Sequence, residues 1–261
     1  MWTTKSESGI KIMRKKYISG NFSFKTDIGK VRMTNEDQAM GLTNARGNIL
    51  LVVCDGMGGQ NKGDLASKIA IDILKEEFSN IKKIRTKAGA YYWLSKTLRK
   101  ANTAIFNEAS RNPLYSGMGT TITAILLLNN YLLVAQAGDS RAYTLSSNFE
   151  QITEDQTYVN YLFKTGQIKK EEIQTHPKRH VLMNALGIYP SVDLDIKVKK
   201  YNNESLLLCS DGLYNNVNKT DIEAILRNED SCEQKVHELI NIANANGGND
   251  NIAVVIWEAN K

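Results

Sequence analysis

Five acidic sites stand where apolar runs meet small residues: Glu36 with Asp37 in VRMTNEDQAM, Asp55 in LLVVCDGMGG, Asp139 in AGDSRAY, Asp211 in LLLCSDG and Asp250 in GGNDNIAVVIW. One Asp-Gly after a strand reads as a turn. Five such sites, with LLLCSDG echoing LLVVCDG, make a pattern that turns alone do not require. Carboxylates gathered at the ends of buried strands lose hydration and repel one another, so a dry cluster is unfavourable. A cation offsets both penalties. Carboxylate and carbonyl ligands are hard and suit Mg²⁺ or Mn²⁺ rather than zinc or copper, and neighbouring glycines let carbonyls and water approach closely. Two ions sharing a carboxylate can ionise a water at neutral pH and aim it at phosphorus. Phosphate monoesters, among the slowest substrates to hydrolyse unaided, have most to gain from that arrangement.

The elements that must position these groups follow from hydrophobic patterning. Runs rich in Ile, Leu and Val predict strands near 21–27, 48–54, 120–128, 131–138, 141–145, 192–199, 204–210 and 251–257. QNKGDLASKIAIDILKEEF, directly after the DGMGG stretch, predicts a helix starting near Gly63, with Leu65, Ala66, Ile69, Ala70, Ile73, Leu74 and Phe78 on one face. A second helix covers roughly 88–110, with Leu94, Leu98, Ala101, Ile105 and Ala109 as its stripe; Tyr91, Tyr92 and Trp93 read as helix packing. Two C-terminal helices carry capping-box spacing at Thr220–Glu223 and Ser231–Gln234, and Gly247-Gly248 supplies a stop. The order is not a regular alternation of strand and helix, so an α+β fold is expected rather than a doubly wound parallel sheet.

Composition narrows the function classes. An apolar fraction of 42% with 23% charged residues is that of a globular chain with a sizeable core. The net charge of +5 is scattered and lacks interleaved aromatics, which argues against nucleic-acid binding and against a nuclease. Three dispersed cysteines, Cys54, Cys209 and Cys232, exclude a disulfide framework and fit a reducing, cytoplasmic setting. The N-terminus lacks the apolar core of a signal peptide. The most apolar stretch, ITAILLLNNYLLVAQAG, is broken by Asn129-Asn130 and reads as a hairpin, not a membrane span. Residues 1–19 are expected to be a mobile leader, and 20–261 a single domain with an insert near 153–190.

TDIGKVRMTNED, VVCDGMGGQNKGDLAS, GMGTT, AGDSRAY, ITEDQTYVNYLFKTGQI, HPKRHVLMNALG, LLLCSDGLYNNV and GGNDNIAVVIW occur in this order over about residues 21–257. In them the chain resembles the metal-dependent protein serine/threonine phosphatases of the type 2C (PPM) family, in the compact bacterial form. The resemblance implies a central antiparallel β-sandwich flanked by helix pairs, in α-β-β-α layers. It implies hydrolysis of phosphoserine and phosphothreonine in proteins by a two-metal site with a bridging hydroxide, countering serine/threonine kinases in signalling. The cofactors would be two Mn²⁺ or Mg²⁺ ions per subunit, with a third, weaker one. The partners would be phosphorylated proteins, a serine/threonine kinase among them, and the enzyme a cytoplasmic monomer.

Position by position, the resemblance makes Asp55 the carboxylate that bridges both metals and gives the Gly56 carbonyl to one of them. Asp211 and Asp250 would complete the other shell, and Glu36 and Asp37 would hold metal waters or coordinate directly. Asp139 would serve the third metal, and Arg32 would grip the substrate phosphate, since an arginine fork matches phosphate oxygens. The insert would form a flap beside the site and set substrate choice. The pattern departs from relatives where Met57, Gln60 and Gln156 stand in place of histidines. The remaining candidates, His176 and His180, flank Pro177 and lack a third ligand, so neither a metal role nor the general-acid role is expected of them.

Overall fold

The computed structural model describes residues 18–58, 62–81, 84 and 86–260. Most of the expected leader, together with Gly59 and Gln60, lies outside them. In chain order the elements are β1 (Gly20–Asp27), β2 (Asp37–Thr43), β3 (Ile49–Met57), α1 (Gly63–Ser79), α2 (Lys87–Arg111), β4 (Gly119–Thr120), β5 (Ile122–Leu128), β6 (Tyr131–Ala137) and β7 (Arg141–Leu145). There follow β8 (Phe149–Gln151), α3 (Tyr158–Lys164), β9 (Asp195–Lys200), β10 (Ser205–Cys209), α4 (Asp211–Tyr214), α5 (Lys219–Arg227), α6 (Cys232–Ala245) and β11 (Ile252–Ala259).

The strands form two antiparallel sheets, ordered β1-β11-β10-β7-β8 and β2-β3-β5-β6-β9, with β4 paired to β3. Alternation along β3 shows why its sequence is apolar without interruption. Leu50, Val52 and Cys54 face α1 and α2, while Ile49, Leu51 and Val53 pack against Val255, Trp257 and Leu208 of the other sheet. A strand buried on both faces has no polar side to show. On the far side, Leu207, Val254 and Ile256 meet Ile222, Val236 and Leu239 of α5 and α6. The layers are therefore helix pair, sheet, sheet, helix pair, an α+β fold of the expected kind. All three cysteines are free and buried. None of the described helices is long and apolar enough to cross a membrane.

Several boundaries differ from the sequence reading for identifiable reasons. β2 escapes patterning because its polar residues Asp37 and Gln38 occupy the end next to the site, and β8 is only three residues long. Asp55 does not end its strand: β3 runs on to Met57 because Asp37 pairs with Asp55, and Gly56 and Met57 pair with β4. α5 is capped by Asn218, whose Oδ1 accepts from the Asp221 amide at 2.9 Å, so Thr220 lies inside the helix and is not its cap. Ser231 does cap α6 in a full capping box. Of Tyr91, Tyr92 and Trp93 only Trp93 packs, its ring centroid 5.9 Å from that of Phe78; Tyr91 and Tyr92 lie off the Ala90, Leu94, Leu98 stripe and are exposed. Asn129, at φ 54°, makes the β5–β6 hairpin turn.

One ion pair braces the outer layer. Lys235 of α6 is buried, donating to Glu258 at 2.6 Å and to the Leu226 carbonyl at 3.0 Å. Removing one member of such a pair strands the other charge. Glu258→Ala is therefore expected to cost on the order of 3 kcal/mol in urea denaturation, and Lys235→Met distinctly less. Equal losses for the two variants would contradict the assignment.

Candidate active site

The expected acidic residues do converge. Glu36, Asp55, Asp139, Asp211 and Asp250 line one open cavity of about 490 Å³, together with Arg32, Met57, Thr121, Asn251 and His180 to Leu182 of the insert. They arrive from both sheets: Asp55 on β3, Asp139 after β6, Asp211 at the start of α4, and Asp250 just before β11. Asp37 is the exception. It is buried, and its Oδ2 accepts from the Ser210 hydroxyl at 2.6 Å.

The backbone that carries the carboxylates is held by neighbouring side chains. The Asp55 amide donates to Thr121 Oγ1 at 3.0 Å, and Thr121 shares a 2.7 Å hydroxyl contact with Ser140. Ser210 Oγ also accepts from the Ala253 amide at 2.8 Å, tying β10 to β11 beneath Asp37. Asn251 is the hub of the Arg32 loop. Its Oδ1 accepts from the Glu36 amide, its Nδ2 donates to the Ile28 and Thr34 carbonyls, each at 2.9 Å, and its own amide donates to Asp250 Oδ1 at 2.8 Å. Ser67 of α1 donates to the Glu36 carbonyl at 2.6 Å. Gly56 is required for close approach: a Cβ there would strike the Gly63 and Glu36 carbonyls.

Electrostatics set the character of this cavity. Burial, then the charges of Asp37, Asp211 and Asp139, drive the Asp55 carboxyl well above its ordinary range. Asp211 is raised likewise by burial and by Asp139 and Asp250. Burial pushes Asp37 up to about 7 against the opposing Ser210 hydrogen bond, and Asp139 up to about 6, Asp155 adding repulsion. Burial also raises Glu36. Arg32 answers part of this charge, its Nη2 donating to Asp250 Oδ2 at 2.8 Å across a half-exposed ion pair. That bond occupies one of the five guanidinium N–H donors.

The second cation is Arg141, which sequence reading left unremarked. Its Nη2 lies 2.6 Å from Asp155 Oδ2 and its guanidinium carbon 3.5 Å from the Tyr214 ring centroid. The Tyr214 hydroxyl donates to the Asp139 carbonyl at 3.3 Å. Arg141 thus joins the base of the insert to the backbone beside Asp139 and Asp211. Gln156 holds the same junction: its Oε1 accepts from the Gly138 amide at 3.0 Å and from Asn184 Nδ2 at 2.8 Å.

The donor set fits hard divalent cations, because carboxyls that repel one another in a half-open pocket are best relieved by added positive charge. Among the described residues no three His, Cys, Asp or Glu groups close into a ready-made cage. An ion here would draw further oxygens from the Gly56 carbonyl and water, as Mg²⁺ commonly does. His176 accepts from the Lys178 amide at 3.1 Å, and it does not line this cavity. His180 does line it, from the insert expected beside the site.

Residues 30–255 match the family described as protein phosphatase 2C. The serine/threonine phosphatase stp of Listeria welshimeri is 37% identical over 239 residues, covering 91% of this chain and 95% of that protein. The crystal structure of serine/threonine phosphatase Stp1 from Staphylococcus aureus superposes with a TM-score of 0.87 at 33% identity, covering 100% of both chains. The catalytic domain of the serine threonine protein phosphatase PstP, solved in complex with 2 manganese ions, gives a TM-score of 0.80 at 32% identity, covering 93% of this chain and 99% of that one. Matched over most of its length in sequence and in fold, the chain belongs to the protein phosphatase 2C family of metal-dependent serine/threonine phosphatases.

Proposed function

We propose that this chain removes phosphate from phosphoserine and phosphothreonine in proteins, opposing serine/threonine kinases. The observation that carries the reading is the single cavity in which Glu36, Asp55, Asp139, Asp211 and Asp250 face one another beside Arg32. Asp55, Asp211, Asp250 and the Gly56 carbonyl would hold two Mn²⁺ or Mg²⁺ ions, with Glu36 and Asp37 supporting them and Asp139 serving a third, weaker ion. When bound, such ions supply a water ionised at neutral pH and positive charge against the phosphoryl oxygens. The resemblance to PstP, whose structure contains manganese, supports that cofactor.

The chain's own groups do the rest. Arg32 releases Asp250 or uses its remaining donors to grip two phosphate oxygens, fixing the phosphorus over the carboxylates. Asn251 holds the Arg32 loop in register with Asp250, so phosphate grip and acidic cluster are set by one side chain. Asp37, from beneath, is kept in place by Ser210 and limits how Asp55 can turn. The 153–190 insert supplies one wall of the cavity through His180, Val181 and Leu182 and acts as its flap. His180 is exposed, with no partner among the described residues to orient its ring, so it is not assigned the acid role. We place the enzyme in the cytoplasm as a monomer whose substrates include a kinase.

With p-nitrophenyl phosphate and Mn²⁺, Asp55→Asn is expected to lose about 10³-fold in kcat/KM. Arg32→Ala is expected to act mainly through KM, with partial recovery in Arg32→Lys, which keeps the charge but not the fork. Wild-type inactivity on phosphothreonine peptides in Mn²⁺, with folding intact, would sink the proposal. The acid limb of the pH–rate profile is expected to survive His176→Gln and His180→Gln, and its disappearance would assign the acid to histidine.

A further inference from the structure

A second cavity, of about 530 Å³, adjoins the first. Gln174 and Arg179 of the insert bound it on one side, and Tyr214, Asn215, Asn216 and Asn249 on the other. Both cavities are lined by His180, Asp211 and Asp250, so the second continues the first past the acidic cluster. Its size lies within the ~300–1,000 Å³ usual for ligand sites. None of the phosphatase assignments above uses it.

The chemistry of its wall is specific. Four carboxamides face it, and no aliphatic side chain does among the described residues. A carboxamide carries a donor and an acceptor, the same pair that a peptide unit presents. Asn215 Nδ2 donates to Asp211 Oδ2 at 3.2 Å and Asn216 Nδ2 to the Gly212 carbonyl at 2.8 Å, which fixes both amides and leaves their oxygens as acceptors. The side chains of Gln174 and Asn249 have no hydrogen-bond partner among the described residues. Arg179 adds further donors suited to carbonyl oxygens. Asp211 and Asp250 at its border belong to the acidic cluster already described, and the wall that remains is neither apolar nor acidic but carboxamide, which matches main chain.

We propose that this groove binds the extended main chain of the substrate protein on one side of its phosphorylated residue, through hydrogen bonds with the carboxamides of Gln174, Asn215, Asn216 and Asn249. The inference rests on the phosphatase reading above and adds a substrate subsite to it. It makes the enzyme selective for phosphorylated polypeptide over small phosphate esters, and tolerant of the side chains that flank the phosphate.

The test compares a phosphothreonine peptide, the same peptide N-methylated singly at each backbone amide within three residues of the phosphothreonine, and p-nitrophenyl phosphate. With wild-type enzyme, methylation at one or more positions on one side should lower kcat/KM at least tenfold, while alanine replacement of the flanking side chains changes it less than threefold. In Gln174→Ala/Asn249→Ala, the ratio of kcat/KM for peptide to that for p-nitrophenyl phosphate should fall at least fivefold, and the methylation penalty should shrink. Equal kcat/KM for all methylated peptides, or a variant that loses both substrates in equal proportion, overturns the groove but not the phosphatase. Wild-type enzyme inactive on both substrates overturns the phosphatase reading, and the groove with it.

Discussion

Mutual repulsion among buried and half-buried carboxylates is the constraint around which this fold is arranged. Asp37, Asp55, Asp139 and Asp211 come from separate parts of the chain into one region, and burial raises the proton affinity of each. Left to themselves, such groups would swing to solvent or stay protonated. The surrounding structure prevents the first outcome by tying down the backbone on which they stand. Thr121, Ser140, Ser210 and Asn251 anchor it with uncharged donors and acceptors. Arg32 and Arg141 bring positive charge to the edges, and Arg141 is engaged with Asp155. The centre is therefore short of positive charge by construction, which is the condition that divalent cations relieve.

That arrangement depends on rigidity elsewhere. The strands that deliver Asp55 and Asp250 are buried on both faces, so their ends cannot drift without disturbing two packed layers at once. The α1 terminus is locked to the same place, because Gly56 abuts Gly63 and Ser67 binds the Glu36 carbonyl. The insert joins the same frame through polar junctions, Arg141 with Asp155 and Gln156 with Gly138, and through Leu186, which is buried in the core beside α1 and α2 and pairs with Thr120. The acidic centre and the wall beside it are thus anchored to one packed frame.

Much of this was legible from residue types and local spacing. The unbroken apolar run before Asp55 marked a fully buried strand, its echo before Asp211 marked a second strand ending at the acidic site, and Ser231 with Gln234 announced α6. What was not legible shares one physical feature, namely partners distant in sequence. Asn251 meets Glu36 across 215 positions and Ser210 meets Asp37 across 173, so neither side chain has a local reason to be there. Arg141 lies in the AGDSRAY stretch, yet its role appears only once Tyr214 is stacked on it. Tyr91 and Tyr92 misled in the opposite direction, since aromatic character suggested packing at helix positions that face solvent.

If this cluster is destabilised by its own charge until cations bind, the unfolding free energy measured against pH, in chelator and in Mn²⁺, will show it. Carboxyls raised from the ordinary 3.8 to about 7 at Asp37 and about 6 at Asp139 bind more protons folded than unfolded. Their stabilising contribution is present at low pH and is lost as pH rises through those values. Chelated protein should therefore become less stable from pH 5.5 to pH 8. Mn²⁺ binds the ionised form, so the stability it adds should grow over the same interval. A Mn²⁺ increment that stays constant with pH, or chelated protein that is more stable at pH 8 than at pH 5.5, would contradict the account.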